Sequence, residues 1–411
     1  MKTFLLLFTL LHICFQTIAA QNSHSLSDVL ALTVLNNPEL DAFNYDLRAA
    51  DAGLLQAGIL PNPELSVELE NIDSPRYIQT TFLLSQLIEL GGKRKAREQL
   101  AKCERSKIAL DYEVRKRELF VDTTSLFIDV LLNQQKLEFL EENLQVLQNF
   151  SSIVEKRIQA GKASTIEESN FIVLLNTARI DLKSAQNQLR IAKNKLAAQW
   201  GETDDDAFAV TGKLDWSPQI VSLEQMSPFI QEHPEMVRSY FESDVRAARL
   251  GLEKSESYPD LIVNGGPRYL KEANKWTGIV GVSIPLPLND RNQGGVWGAR
   301  ENADKIERER QTLWISLLTE LKSTYWTAQT IFSELELLKN FIIPAAQKAY
   351  DCSYKGYELS RYNYLEHLES ERAYRTSKIR YLETLAEYHK ALAIIQGLTG
   401  SKTICGGDDD I

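Results

Sequence analysis

The chain has 411 residues, 44% of them hydrophobic and 25% charged, which is the composition of an ordinary folded protein. The formal net charge of −10 argues against a nucleic-acid-binding surface, because such surfaces concentrate Lys and Arg. No motif of a hydrolase, a kinase or a nucleotide-binding site occurs, and the histidines lack the spacing of a zinc site. The sequence therefore predicts no enzyme, no cofactor and no metal site.

Residues 1–20 have the pattern of a secretory signal peptide. Lys2 precedes an apolar stretch over residues 4–15, and small residues follow at Ala19 and Ala20. The stretch is too short to span a membrane as a helix, and no later run of about 18 apolar residues occurs. We therefore expect an exported chain, which could enter a membrane only as part of a closed β-barrel.

The remaining chain contains an internal repeat, because segments of the first half reappear in the same order about 200 residues later. The pairs are "NNPEL" and "EHPEM", "RAADAGLLQAGILPNPELSVEL" and "RAARLGLEKSESYPDLIVNGG", "GGKRKARE" and "GGVWGARE", and "AGKASTIEESN" and "LSRYNYLEHLE". We expect a first repeat at residues 21–201, an irregular linker at 202–228, a second repeat at 229–400 and a C-terminal tail at 401–411.

Both repeats predict the same order of elements: a helix, two strands, a long helix and a return helix. The helices are expected at Glu39–Gly58, Lys93–Ile158 and Thr165–Trp200 in the first repeat and at Glu235–Ser257, Gly295–Glu358 and Tyr364–Leu398 in the second. Apolar residues step by three and four along the long and return helices, as in coiled coils. Pro344 predicts a kink in the second long helix. The fold class is therefore mainly α with a small β part.

The predicted strands alternate apolar and polar residues; on the first strand, Leu65, Val67 and Leu69 share one face. Each strand has about 9–12 residues, enough to cross a bilayer when tilted. A small soluble sheet with one solvent-exposed face would show the same pattern. Four strands cannot close a barrel and two chains would leave a lumen filled by side chains, whereas three chains would give 12 strands around a pore. A homotrimer is therefore expected if the sheet enters a membrane.

Four basic residues stand where the second strand passes into the long helix: Lys93, Arg94, Lys95 and Arg97. Positive charge in the first turn of a helix opposes the helix dipole, so these residues are not placed there to stabilise the helix. At the base of a membrane barrel they would contact anionic headgroups. The alternative is a solvated basic face.

The duplicated unit, with "ALTVLNNPEL", "AGILPNPEL", "LIELGGKRKARE" and "IIPAAQKAY", resembles the TolC-like outer membrane efflux proteins, in particular the CzcC-like branch of heavy-metal efflux. The resemblance covers about residues 26–400. It implies a homotrimer with a 12-stranded transmembrane β-barrel, four strands from each chain, and a trimeric α-barrel tunnel. It also implies the outer membrane of a Gram-negative bacterium, a periplasmic adaptor protein, an inner-membrane RND-type pump, and passive conduction of cobalt, zinc or cadmium cations.

The same resemblance implies an adaptor-contact turn in the first repeat. By position in the family pattern, this turn comprises Arg157, Gly161, Lys162, Ala163 and Ser164.

In the second repeat the resemblance implies a periplasmic gate, with Tyr357, Glu366 and Glu369 in the places of a tyrosine and two acidic residues. Glu366 and Glu369 are spaced i, i+3, so threefold symmetry would turn them into two carboxylate rings that attract cations. The alternative is a solvated helix face. Ser360 stands where the family usually has Gly, and Tyr362 where a basic residue often stands, so the bonds of the closed gate are not given by the resemblance.

Two alternative functions follow from the same patterns. A channel of this shape could export drugs or secreted proteins instead of metal cations. A protein of another class, a soluble periplasmic coiled-coil scaffold without a pore, would show the same helical periodicity.

Overall fold

The computed structural model describes residues 22–203, 208–215 and 220–400. The expected signal peptide and the C-terminal tail lie outside these residues. The chain divides into two compact units. The first is built from the described parts of Met1–Leu40, Lys116–Ile230 and Leu317–Ile411, and the second from Asp41–Arg115 and Gln231–Ser316. Both units therefore take residues from both repeats.

The element order is duplicated, which confirms the repeat of helix, two strands, long helix and return helix. The first repeat contains β1 (Asn22–His24), α1 (Leu26–Asn36), α2 (Pro38–Ala57), β2 (Glu64–Glu70), β3 (Gln79–Ile88), α3 (Lys93–Gln159) and α4 (Thr165–Ala197). The remaining chain contains β4 (Phe208–Val210), α5 (Leu223–Met226), α6 (Pro234–Glu256), β5 (Leu261–Leu270), β6 (Lys275–Ser283), α7 (Gln293–Leu337), α8 (Ile343–Glu358) and α9 (Tyr364–Thr399).

The second unit holds an antiparallel sheet of four strands in the order β2-β3-β5-β6. The hairpin of each repeat supplies two neighbouring strands, and β3 pairs with β5 in the centre. The edge strands carry exposed apolar side chains, among them Leu65 and Val67 on β2 and Val280 and Val282 on β6. One repeat therefore completes the sheet of the other, and the sheet leaves apolar surface uncovered within this chain.

Gly266 on β5 permits the close pairing of the two repeats. A Cβ atom at Gly266 would lie 1.9 Å from the carbonyl oxygen of Phe82 on β3. The Phe82 oxygen is a backbone atom, so no side-chain rotation could relieve the contact. Only a residue without a side chain fits at this position.

The first unit contains a short parallel pair of strands and helices with buried seams. β1 pairs with β4, which brings the start of the described chain to the segment between the repeats. The linker expected to be irregular therefore contains a strand, and it also contains the short helix α5. On α3, the coiled-coil positions Leu140, Leu147 and Val154 are all buried. These residues recur every seven positions, so the periodicity identified the buried face of the helix.

The disturbance expected at Pro344 occurs one turn earlier. α7 ends at Leu337, residues Leu338–Ile342 form a π-helical turn, and α8 then begins with Pro344 in its first turn. Proline has no N–H to donate to the carbonyl four residues before it, and its ring crowds that carbonyl. A wider turn before the proline accommodates this ring.

None of the described helices combines the length and the apolar character that a membrane-crossing helix needs.

Candidate functional site

The candidate site lies in the first unit, at the turn from α3 to α4 and the turn from α8 to α9; these are called the first turn and the second turn below. Each turn contains one residue in the left-handed backbone region, Gly161 with φ 65° and Ser360 with φ 59°. The two turns therefore share a backbone geometry, although only the first has the residue that favours it.

The same two backbone bonds end α3 and α8. In the first turn, Lys162 N donates to Arg157 O at 2.8 Å and Gly161 N donates to Ile158 O at 2.9 Å. In the second turn, Arg361 N donates to Gly356 O at 2.7 Å and Ser360 N donates to Tyr357 O at 3.0 Å. This is the Schellman pattern, which satisfies the last carbonyls of a helix and needs a left-handed residue. It explains physically why glycine suits the place that Ser360 occupies.

Polar side chains begin the following helices. The Ser164 side chain accepts from Glu167 N at 3.3 Å at the start of α4. At the start of α9, Asn363 Oδ1 accepts from Glu366 N at 2.9 Å, and Glu366 Oε2 accepts from Asn363 N at 2.9 Å. This reciprocal pair is a capping box. One carboxylate of the expected gate is therefore held against the backbone of its own turn.

Arg157 and Tyr357 join the two turns. The Arg157 guanidinium lies over the Tyr357 ring, 4.1 Å from its centroid, and donates to the Tyr357 carbonyl oxygen. Arg157 also donates to Ser360 Oγ at 3.3 Å, and Tyr357 donates its hydroxyl hydrogen to Glu167 Oε2 at 3.1 Å. The structure thus brings together one residue expected to contact the adaptor and one expected in the gate.

Tyr357 is fully buried in an aromatic cluster beneath the turns. Its ring centroid lies 5.2 Å from that of Phe150 and 6.0 Å from that of Tyr364. Burial, with the Glu167 carboxylate beside it, raises the pKa of the Tyr357 hydroxyl to about 12. The phenol therefore stays protonated at neutral pH and acts as a hydrogen-bond donor.

His367 belongs to the same cluster. Its ring stacks on Phe150 with centroids 4.4 Å apart, and its Nδ1 lies 3.2 Å from Ser353 Oγ. Burial lowers the pKa of His367 to about 4, so the ring is neutral at ordinary pH. Within the ranges that the structure describes, no group of three or more His, Cys, Asp or Glu residues is arranged to hold a metal ion.

The remaining expected residues are at the surface of the turns. Glu366 and Glu369 are both exposed, as are Lys162 and Ser164, whereas Ala163 is half-buried. Among the described residues, no hydrogen bond or ion pair joins either gate glutamate to Arg157 or Tyr357. Glu167 was missed by sequence reasoning, since only the packing of segments about 190 residues apart gives it a role.

The basic cluster at the start of α3, in the second unit, divides into paired and exposed residues. Lys93 is buried, with Nζ 2.8 Å from Asp260 Oδ2, and Arg97 binds Glu89 through both terminal nitrogens. Pairing with Glu89 raises the pKa of Arg97. Arg94 and Lys95 are exposed, and Arg94 Nε lies 3.4 Å from Glu98 Oε1.

Comparison with known proteins gives one family and several relatives. Residues 29–202 and 227–401 match the model of a family described as outer membrane efflux protein. The cobalt-zinc-cadmium resistance protein CzcC of Cupriavidus metallidurans is 30% identical over 377 residues, covering 92% of this chain and 90% of CzcC. The nickel-cobalt-cadmium resistance protein NccC of Alcaligenes xylosoxydans xylosoxydans is 24% identical over 308 residues, 72% of this chain and 68% of NccC.

The fold has a counterpart among solved structures. A structure of CusC, studied for the conformational changes that accompany folding and transmembrane channel formation, matches with a TM-score of 0.75. The match covers 93% of each chain at 16% identity, so it concerns the fold. Sequence and fold comparisons together confirm the resemblance that the duplicated segments indicated.

Proposed function

Because the chain belongs to the outer membrane efflux protein family, we propose that it is the outer membrane channel of a tripartite system that exports heavy-metal cations. The main support for this proposal is the match to a cobalt-zinc-cadmium resistance protein along 92% of this chain. The family model matches residues 29–202 and 227–401, which include both repeats, the sheet and the two turns.

The cargo is proposed to pass without being chemically changed. Two relatives are named for resistance to cobalt, zinc, cadmium or nickel, which supports divalent transition-metal cations as the cargo class. A passive duct needs neither a catalytic group nor a resident metal, and its driving force comes from the pump. Weak electrostatic attraction suits such a duct better than chelation, because an ion that is to be conducted must also leave.

Three copies of the chain are proposed to form the pore. Among the described residues, the sheet of one chain has two unpaired edges, β2 and β6. Backbone groups at an open edge are not tolerated in lipid. Pairing β6 of one copy with β2 of the next would satisfy them. The exposed apolar side chains on these strands, such as Leu65 and Val280, would then face lipid. We place this assembly in the outer membrane, with the helices in the periplasm.

The gate is proposed to be at the second turn. The contacts of Arg157 and Glu167 with Tyr357 would hold the two turns of one chain together in a closed state. Glu366 and Glu369 are exposed on one side of α9, so three copies would present two rings of carboxylates to passing cations.

The first turn is proposed to contact a periplasmic adaptor, which would connect the channel to an RND-type pump in the inner membrane. Lys162 and Ser164 are exposed there, while Gly161 sets the turn. Arg157 faces inward to Tyr357, so an adaptor that displaced the first turn would act directly on the gate.

The basic cluster is proposed to mark the membrane interface. Arg94 and Lys95 are the exposed members and would contact anionic headgroups. Lys93 and Arg97 would instead secure the junction of strand and helix through Asp260 and Glu89.

Deletion of the gene, with complementation by the intact chain, tests this function. We expect loss of growth on zinc, cobalt or cadmium, with drug tolerance unchanged. Loss of drug tolerance alone would instead indicate a drug channel. Unchanged growth, together with release of the protein from envelopes by carbonate, would indicate a soluble scaffold.

A further inference from the structure

A buried carboxylate lies on α9 below the second turn. Glu371 is 1% exposed. Its Oε1 accepts from Asn143 Nδ2 at 3.4 Å and lies 3.4 Å from Arg375 Nε. Its Oε2 has no hydrogen-bond partner among the residues that the structure describes. A buried carboxylate with one unbonded oxygen is costly when it is charged, so its presence requires an explanation.

Glu371 belongs to a polar connection between three helices. Asn143 is on α3, Glu371 and Arg375 are on α9, and Arg375 Nη1 donates to Asp181 Oδ2 on α4 at 2.9 Å. Since α3 and α4 form the hairpin of the first repeat, this connection attaches the return helix of the second repeat to that hairpin. Glu371 also interacts electrostatically with Tyr364, which belongs to the aromatic cluster that includes Tyr357.

The groups that face Glu371 act on its charge in opposite directions. Burial raises the pKa of Glu371. It is lowered by Arg375, Asn143 and Arg372, and the Asp181 charge raises it again. Two phenols complete the surroundings, Tyr350 on α8 and Tyr364 on α9. Burial raises the pKa of both phenols, and the Glu371 charge adds to the rise at each of them. The Tyr364 hydroxyl also lacks a hydrogen-bond partner among the described residues.

We propose that Glu371 is a positioning residue of the gate, which binds a proton while α9 is packed on α3 and α4 and releases it when α9 moves away. This inference rests on the proposed gate at the second turn. Proton binding by Glu371 would make the closed arrangement of α9 more stable in acid and less stable as the pH rises.

The direction follows from linkage. An exposed glutamate titrates near pH 4.3, and burial raises the pKa in the closed arrangement, so that arrangement binds more protons. Glu371 stabilises the closed arrangement fully at pH values below the ordinary glutamate pKa. This stabilisation is lost as the pH rises through the raised pKa of the buried Glu371. His367 acts in the opposite sense between its pKa of about 4 when buried and its ordinary value, because it gains a proton on exposure.

Hydrogen exchange on the full-length detergent-purified assembly tests the proposal without using cargo or channel activity. Exchange at the backbone amides of α9 is followed by mass spectrometry from pH 5 to 8, for the native chain and for Glu371→Gln, and each rate is corrected for intrinsic chemistry. Gln is neutral at every pH, and His367 is present in both proteins. The exchange rate of the native chain divided by that of Glu371→Gln should therefore rise with pH. The total rise is up to tenfold for each pH unit by which burial raises the Glu371 pKa.

Two further variants keep the test decisive. Glu387→Gln removes an exposed carboxylate from the same helix and should exchange like the native chain at every pH. If Glu371→Gln does not fold, Asn143→Ala replaces it. Loss of the Asn143 donor raises the Glu371 pKa further. The exchange rate of Asn143→Ala divided by that of the native chain should therefore increase with pH. A ratio that does not change with pH, in whichever of these two variants folds, overturns the proposal and leaves the proposed efflux function untouched.

Discussion

The Arg157 guanidinium lies face-on over the Tyr357 ring, 4.1 Å from its centroid, and also donates to the Tyr357 carbonyl oxygen. The two residues are 200 positions apart and belong to different repeats. Arg157 is half-buried, and a cation over an aromatic ring contributes about 0.5–2 kcal/mol according to how far it is removed from water. This single pair therefore couples the first turn to the second.

Tyr357→Phe removes one bond of this connection and keeps the ring. The hydroxyl donates to the Glu167 carboxylate at 3.1 Å, and a hydrogen bond to a charged group contributes about 1.5 kcal/mol. We expect the open fraction of the channel in planar bilayers to rise about tenfold. Tyr354→Phe is the control, because the Tyr354 ring also packs on Phe150 at 5.2 Å. An equal effect of both substitutions would assign the change to packing.

Ser360→Gly and Gly161→Ala should have opposite effects. Both positions have a positive φ, which costs about 1 kcal/mol with a side chain and little with glycine. Ser360→Gly should therefore stabilise the protein by roughly 0.5–1 kcal/mol, reduced by the lost contact with Arg157. Gly161→Ala should destabilise it by about 1 kcal/mol, although a Cβ there meets nothing within 4 Å. Thermal unfolding midpoints that shift in the same direction would contradict this account.

The repeat and the periodicity of the sequence predicted the order of helix, two strands, long helix and return helix, but not α1 or the short strands β1 and β4. The long helix expected at Lys93–Ile158 occurs at Lys93–Gln159. The return helix expected to reach Trp200 ends at Ala197, where a 3₁₀ turn follows. Such patterns report which residues face a partner, and they lose precision at helix ends, where capping and tighter turns compete with the α-helix.

The contacts of the site could be predicted only in part. Similarity to a family indicated Tyr357 but not its partners, because Glu167 reaches it through tertiary packing. Glu371 and Arg375 are spaced i, i+4 and have the sequence pattern of a solvent-exposed ion pair. Nothing in that spacing indicates that Glu371 is buried, since burial depends on how α9 packs on other helices.

Lys93→Met and Lys95→Met should separate the two roles within the basic cluster. The buried Lys93 ammonium lies 2.8 Å from Asp260, so its removal leaves a partly buried carboxylate without its cation. We expect a loss of about 2–3 kcal/mol in the free energy of unfolding. Lys95 is exposed, and its substitution should change stability by less than about 0.5 kcal/mol.

The same pair of variants also tests the membrane interface. If Lys95 contacts anionic headgroups, Lys95→Met should weaken reconstitution into vesicles that contain anionic lipid, with no effect in zwitterionic vesicles. The expected loss is about 1 kcal/mol, the contribution of one charge near an anionic surface. Equal reconstitution into both kinds of vesicle would mean that Lys95 is part of a solvated face.

Replacing Glu366 and Glu369 by Gln should weaken the interaction of the channel with cations. Both carboxylates are exposed, and Gln at 366 can still accept from the Asn363 backbone, so the capping box is preserved. Six negative charges would leave the entrance of a trimer, and its cation selectivity and its block by multivalent cations in single-channel recordings should both decrease. Glu387→Gln, a change of the same charge on the same helix away from the turn, should leave block unchanged. Unaltered block in the double variant would place both glutamates on a solvated helix face outside the ion path.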